Sequence, residues 1–185
     1  MKAAELLKQY QVGVRNFQRL DLAGAILKDS ELCQVDFSQA ILTEVDFTKA
    51  NLSQAVFYQA ILNLSNLSQA NLTGANLSSA SLKSALLYKA DLGKAQLEKA
   101  NLSQAILKRG FLRGANLNQA KLIAVDLSQA NLIDADLSQA NLTQANLTQA
   151  FLQGANLSQA ILEGVELDGA VLTGATMPDG NVFAG

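Results

Sequence analysis

The chain has no histidine, no tryptophan, one cysteine and one proline among 185 residues. Without histidine, a frequent general base and a frequent zinc ligand are both missing. Cys33 has no second cysteine to pair with, so a disulfide framework is excluded within the chain. As a nucleophile it would need a base or a lowered pKa, and it stands at a corner position of the repeat described below, where a chance small residue is the simpler reading. Pro178 is nearly terminal, so the interior lacks the proline punctuation of ordinary loops. Glycine never clusters into a phosphate loop; Gly74, Gly114 and Gly154 stand singly. No stretch reaches the roughly 18 uncharged apolar residues of a membrane span. The opening MKAAELLKQYQVGVRNF lacks the continuous apolar core of a signal peptide. These absences predict a cytoplasmic, non-membrane protein that is no enzyme and holds no metal or cofactor.

What is present is Leu and Ala, the main part of a hydrophobic content of 49%. An apolar residue recurs at every fifth position from Phe17 through Leu22, Leu27 and onward to Met177. Two positions before it lies a small residue, nearly always Ala from Ala25 on. A helix cannot bury this pattern, because five residues advance about 500° and successive Leu would step round by about 140°. A straight strand cannot either, since an odd period flips alternate Leu to the opposite face. The conflict disappears if the chain turns once per repeat. Ala and Leu then point inward, the residue between them points outward, and the last two residues make a corner rich in turn formers. Three, four or five sides per circuit all satisfy the period.

The Ala-Asn-Leu-Ser-Gln and Ala-Asn-Leu-Thr-Gln units of residues 50–159 resemble the pentapeptide-repeat family, a likeness that extends over about 15–179. It implies an all-β solenoid, a right-handed quadrilateral β-helix of roughly eight coils. The domain reading is a capping helix at 1–14, the repeat array at 15–179 and a C-terminal cap or tail at 180–185. Ala3, Leu6, Leu7, Tyr10 and Val14 fall on one helical stripe, and Gly13 stops it. Arg15 and Leu20 depart from the small-residue rule, which predicts an irregular first coil. Glu5-Leu6-Leu7-Lys8-Gln9-Tyr10 and Ala175-Thr176-Met177-Pro178-Asp179-Gly180 are similar to the opening and ending of cyanobacterial members. One member of this layout influences heterocyst differentiation, so the resemblance implies a regulatory role through protein contacts.

The net charge of -2 hides an uneven layout. Residues 83–121 carry eight Lys/Arg against Asp91 and Glu98, whereas 122–185 carry seven acids and no Lys or Arg. Some family members mimic DNA and inhibit DNA gyrase; the basic band interrupts any such acidic field, which leaves mimicry as the alternative function. Direct nucleic-acid binding is disfavoured by the acids beyond the band. Protein contacts fit best. With four sides, residues 20 apart stack, so Ile41 pairs with Ile61, Leu86 with Ile106, and Phe111 lies two coils from Phe151 with Asn131 between. Phe111, Phe151, Lys108, Arg109 and Arg113 form the expected protein-binding patch, an aromatic anchor among cations. The partner is an unidentified protein, and Val182 with Phe183 offers a C-terminal edge for a homodimer. Isolated exposed apolar residues are also normal on any surface.

Overall fold

The computed structural model describes residues 2–184, so Met1 and Gly185, the outer limits of the expected cap and tail, lie outside the described residues. The unit Ala100–Gln104 shows why the repeat folds as it does. Ala100 and Leu102 are fully buried, and burial of each such Leu contributes about 1.5–3 kcal/mol. The N–H of Asn101 donates to the carbonyl of Ala80 at 2.9 Å, one circuit back. The N–H of Leu102 donates to Lys121 at 2.8 Å, one circuit forward. Gln104 has φ of 61°, and its N–H reaches the carbonyl of Ile123 at 2.9 Å. Ala105 then closes the corner by donating to Leu102 at 3.0 Å. A positive φ at the third position of such a turn has the sign pattern of type II.

Each circuit holds four of these corners, because parallel bridges join residues 20 apart, from Asn16↔Asp36 up to Asn156↔Thr176. The inward residues stack into one continuous core. Under the N-terminal end this core is aromatic: Phe37 packs against Phe17, Phe47 and Phe57 with ring centroids 5.7–6.1 Å apart.

The expectation of an all-β solenoid, a right-handed quadrilateral β-helix, is corrected here. Among the described residues there is no β-strand; pairing is confined to isolated single-residue bridges, and the rest is turn and coil. The reason lies in the period itself. A ladder needs consecutive paired residues, but a left-handed corner residue stands three positions after each bridged residue from Asn16 to Val171 and turns the chain away. The descriptors β-helix and solenoid therefore fail for this chain.

Among the described residues the one helix, α1, spans Ala3–Gln11. Leu6 is fully buried, while Ala3, Leu7 and Tyr10 pack partly buried against the core. Val14, expected on the same stripe, lies beyond the helix and is exposed. At the other end the chain doubles back. Gly180 N–H closes a turn onto Met177 O at 2.9 Å, and Val182 forms an antiparallel bridge with Thr176. This fold-back pairs one side of the last circuit. The N–H groups of Leu162, Gly164, Leu167 and Gly169 have no backbone acceptor among the described residues.

Candidate protein-binding face

The outward Asn and Asp of this chain are spent largely on the backbone. The fourth residue of the unit, Ser103 in Ala100–Gln104, has no inter-circuit acceptor for its N–H, and an Asn or Asp two positions earlier supplies one. Ser103 N–H donates to Asn101 Oδ1 at 3.1 Å, Ser128 N–H to Asp126 Oδ1 at 2.9 Å, and Ser138 N–H to Asp136 Oδ1 at 3.0 Å. These are Asx turns, so the Asn and Asp column is architectural. An apolar residue at the same position gives up that bond. Phe111 and Phe151 are the largest that do so, and they remain 52% and 44% exposed.

Bridges Phe111↔Asn131 and Asn131↔Phe151 put the two rings on one face, two circuits apart. Asn131 between them turns its Oδ1 to the N–H of Ile133 at 3.1 Å. One corner of this face carries a side-chain ladder. Arg109 Nε donates to Gln129 Oε1 at 2.7 Å, and Gln129 Nε2 donates to Gln149 Oε1 at 2.9 Å. Lys89 sits one circuit below Arg109, its ammonium 5.4 Å from the Tyr88 ring centroid. A hydrogen bond from Arg109, helped by the charges of Lys89 and Arg109, holds the Tyr88 phenol below its usual pKa. Lys89, Arg109, Phe111, Gln129, Gln149, Phe151 and Gly169 line an open groove of about 540 Å³.

Of the five residues singled out in the sequence, the structure brings Phe111, Phe151 and Arg109 together in this groove. Arg113 lies on the opposite edge of the face, in a second groove of about 680 Å³ with Lys94 and Asp134. Its Nη2 is 3.4 Å from Asp134 Oδ2, and both side chains are largely exposed, so the pair is worth little. Lys108 is exposed and lines neither groove. Sequence reasoning missed Lys89, Gln129 and Gln149. Their signal was available, since Lys89, Arg109, Gln129 and Gln149 follow one another at steps of 20 residues in the same corner column.

A second side-chain cluster joins α1 to the first circuit. Tyr10 Oη donates to the Cys33 carbonyl at 2.9 Å and lies 3.3 Å from Cys33 Sγ. The Arg15 guanidinium stacks 3.7 Å from the Tyr10 ring centroid and donates to the Tyr10 carbonyl at 2.8 Å. Burial, then the contact with Cys33, pushes the Tyr10 phenol up. Every group here is used in docking the helix. Among the described residues no group of three or more His, Cys, Asp or Glu is placed to hold a metal, and no helix is long and apolar enough to cross a membrane.

The family described as Pentapeptide repeats matches residues 16–54, 112–149 and 150–181, and the Pentapeptide repeat region description matches 40–117. Among solved structures, the chain is similar to HetL, a pentapeptide repeat protein involved in heterocyst differentiation regulation from the cyanobacterium Nostoc sp. strain PCC 7120. Identity is 33% over 99% of this chain and 100% of that one, with a TM-score of 0.62. A pentapeptide repeat protein from the Arabidopsis thaliana thylakoid lumen is 29% identical over 62% of this chain and 70% of its own, with a TM-score of 0.32. Rfr23 from the cyanobacterium Cyanothece 51142 is 25% identical over 91% and 99%, with a TM-score of 0.31. No curated protein matches the chain.

Proposed function

This chain belongs to the pentapeptide-repeat family, and from that premise we propose that it is a non-enzymatic, rigid surface for protein contacts with a regulatory role. The carrying observation is the Phe111–Phe151 face, where two large apolar side chains replace the Asx residues that the backbone otherwise uses. Likeness to HetL along the full length supports the regulatory part. In this reading residues 1–14 cap the array, 15–179 form it, and 180–185 close it. The site is in the cytoplasm, and the partner is a protein.

The DNA-mimicking alternative is weaker. Mimicry of a phosphate backbone needs acids spread along the surface, and residues 83–121 carry the opposite charge. Asp126 and Asp136 are moreover held in turns. A C-terminal homodimer would use the unpaired N–H groups of the last circuit, against repulsion between the acidic Glu163, Glu166 and Asp168 of the two copies.

The test is affinity capture from the source cell with the native chain beside a Phe111→Ser/Phe151→Ser variant. Both rings are exposed, so the melting temperature should stay within the range of ordinary surface changes, about 0.5 kcal/mol. Loss of captured protein at unchanged stability is expected. The same captured set with both chains would remove this face from consideration.

A further inference from the structure

Resting on that protein-docking reading, we propose that the Phe111–Phe151 groove takes an acidic segment of a partner protein, which seats one Leu-sized side chain between the two rings. Two circuits at the usual spacing of bridged backbones set the two Phe residues about 10 Å apart on this face. An aliphatic side chain makes contact at about 4 Å on each of two sides, so the gap accommodates one such group. Asn131, between them in the column, turns its Oδ1 along the chain to Ile133 N–H at 3.1 Å and does not line the groove.

Charge chooses the rest of the partner. Among the residues lining the groove there are two cations, Lys89 and Arg109, and no carboxylate. Asp91, bridged to Phe111 on the same face, has its Oδ1 accepting from Gly93 N–H at 2.9 Å. The bond from Arg109 Nε to Gln129 at 2.7 Å fixes the guanidinium plane, and with one terminal nitrogen turned to the Tyr88 phenol the other is left for a carboxylate. Cations stop at Arg109. The corner continues as neutral Gln129 and Gln149, and Asp168 follows beside Gly169. The bound segment therefore places its carboxylates at the Lys89/Arg109 end, with the apolar side chain beyond them. A nucleic-acid strand needs cations along its whole track, so this layout favours a peptide with localised acid.

The experiment is an NMR titration of the full isotope-labelled chain with four probes. They are an octapeptide of Glu and Asp around one central Leu, its Leu→Ser form, its form with every acid replaced by Lys, and an octamer of deoxythymidine. Shifts of the Phe111 and Phe151 ring signals by the acidic Leu peptide alone are expected. Arg109→Gln should weaken that binding about tenfold, the loss of one charge-assisted hydrogen bond, and Phe151→Ser should abolish it with an unchanged melt. Equal shifts from the Lys or Ser peptides overturn the acidic or the apolar half of the inference and leave the docking face standing. Displacement by the oligonucleotide overturns the choice of a protein segment. No ring shift from the acidic Leu peptide at millimolar concentration overturns the inference, and the capture comparison with the double Phe variant then decides the docking face separately.

Discussion

Asn101 shows what the outward polar residues do. Its Oδ1 accepts from both the N–H and the hydroxyl of Ser103, at 3.1 and 2.8 Å. Asn101→Ala should cost about 1 kcal/mol, the net worth of such a bond. Asn101→Asp keeps the acceptor and should lie within about 0.5 kcal/mol of the native chain. Urea midpoints check this; an unchanged midpoint for the Ala form would mean that water serves Ser103 equally well. Asp36 adds a pH dependence. Burial pushes its carboxyl up, but hydrogen bonds from Ser38 and from Gln18 Nε2 (2.6 Å) outweigh that and leave it below its usual value. A carboxylate lowered in the folded state stabilises above the ordinary range near pH 4, and the gain is lost as pH falls through the lowered value. Asp36→Asn should thus be less stable than the native chain at pH 6, and the difference should shrink by pH 2 in thermal melts.

At the scale of elements, α1 and the corners have different duties. The helix covers the N-terminal end by burying Leu6 and is latched by Tyr10 on the Cys33 carbonyl. Leu6→Ala removes a fully buried side chain and should cost about 2–5 kcal/mol, part of it as a cavity. Hydrogen exchange locates the effect: the N–H groups of Phe17 and Leu22 should lose protection first, and uniform loss along the chain would show that the end is not a separate unit. The corners need a left-handed residue at each turn. Gly154 has φ of +68°, and a Cβ there would also meet Asp134 Oδ1 at 2.8 Å, so the Asp134 carboxylate would have to swing aside. Elsewhere Gln, Lys, Arg and Ser adopt the same φ, and no β-branched residue does.

For the whole molecule, the stacked core makes the inward positions intolerant of charge. Leu92 is fully buried. Leu92→Asp would place a carboxylate in the Leu column and should unfold the chain or lower its circular-dichroism melt far more than Leu92→Met, a swap that usually costs under about 1.5 kcal/mol. Equal melting points would contradict the packing described here. Charge is also organised at this scale. The basic band and the acidic C-terminal third follow each other along the stack, so a partner meets a graded potential.

The five-residue beat by itself determined which residues face inward, because only a chain that turns once per repeat can bury every fifth Leu with the Ala two positions before it. It also pointed to Phe111, Phe151 and Arg109, since a departure from a strict pattern is visible without coordinates. The tertiary structure decided the rest. Pairing stops at single residues because each corner turns the backbone away, so the expected strands do not form. The hydrogen-bonding demand of the fourth N–H of each unit assigned Asn and Asp to the backbone. Corner geometry sent Arg113 toward Asp134 and Arg109 toward Gln129, a choice between neighbours 20 or 21 residues away that local sequence does not contain.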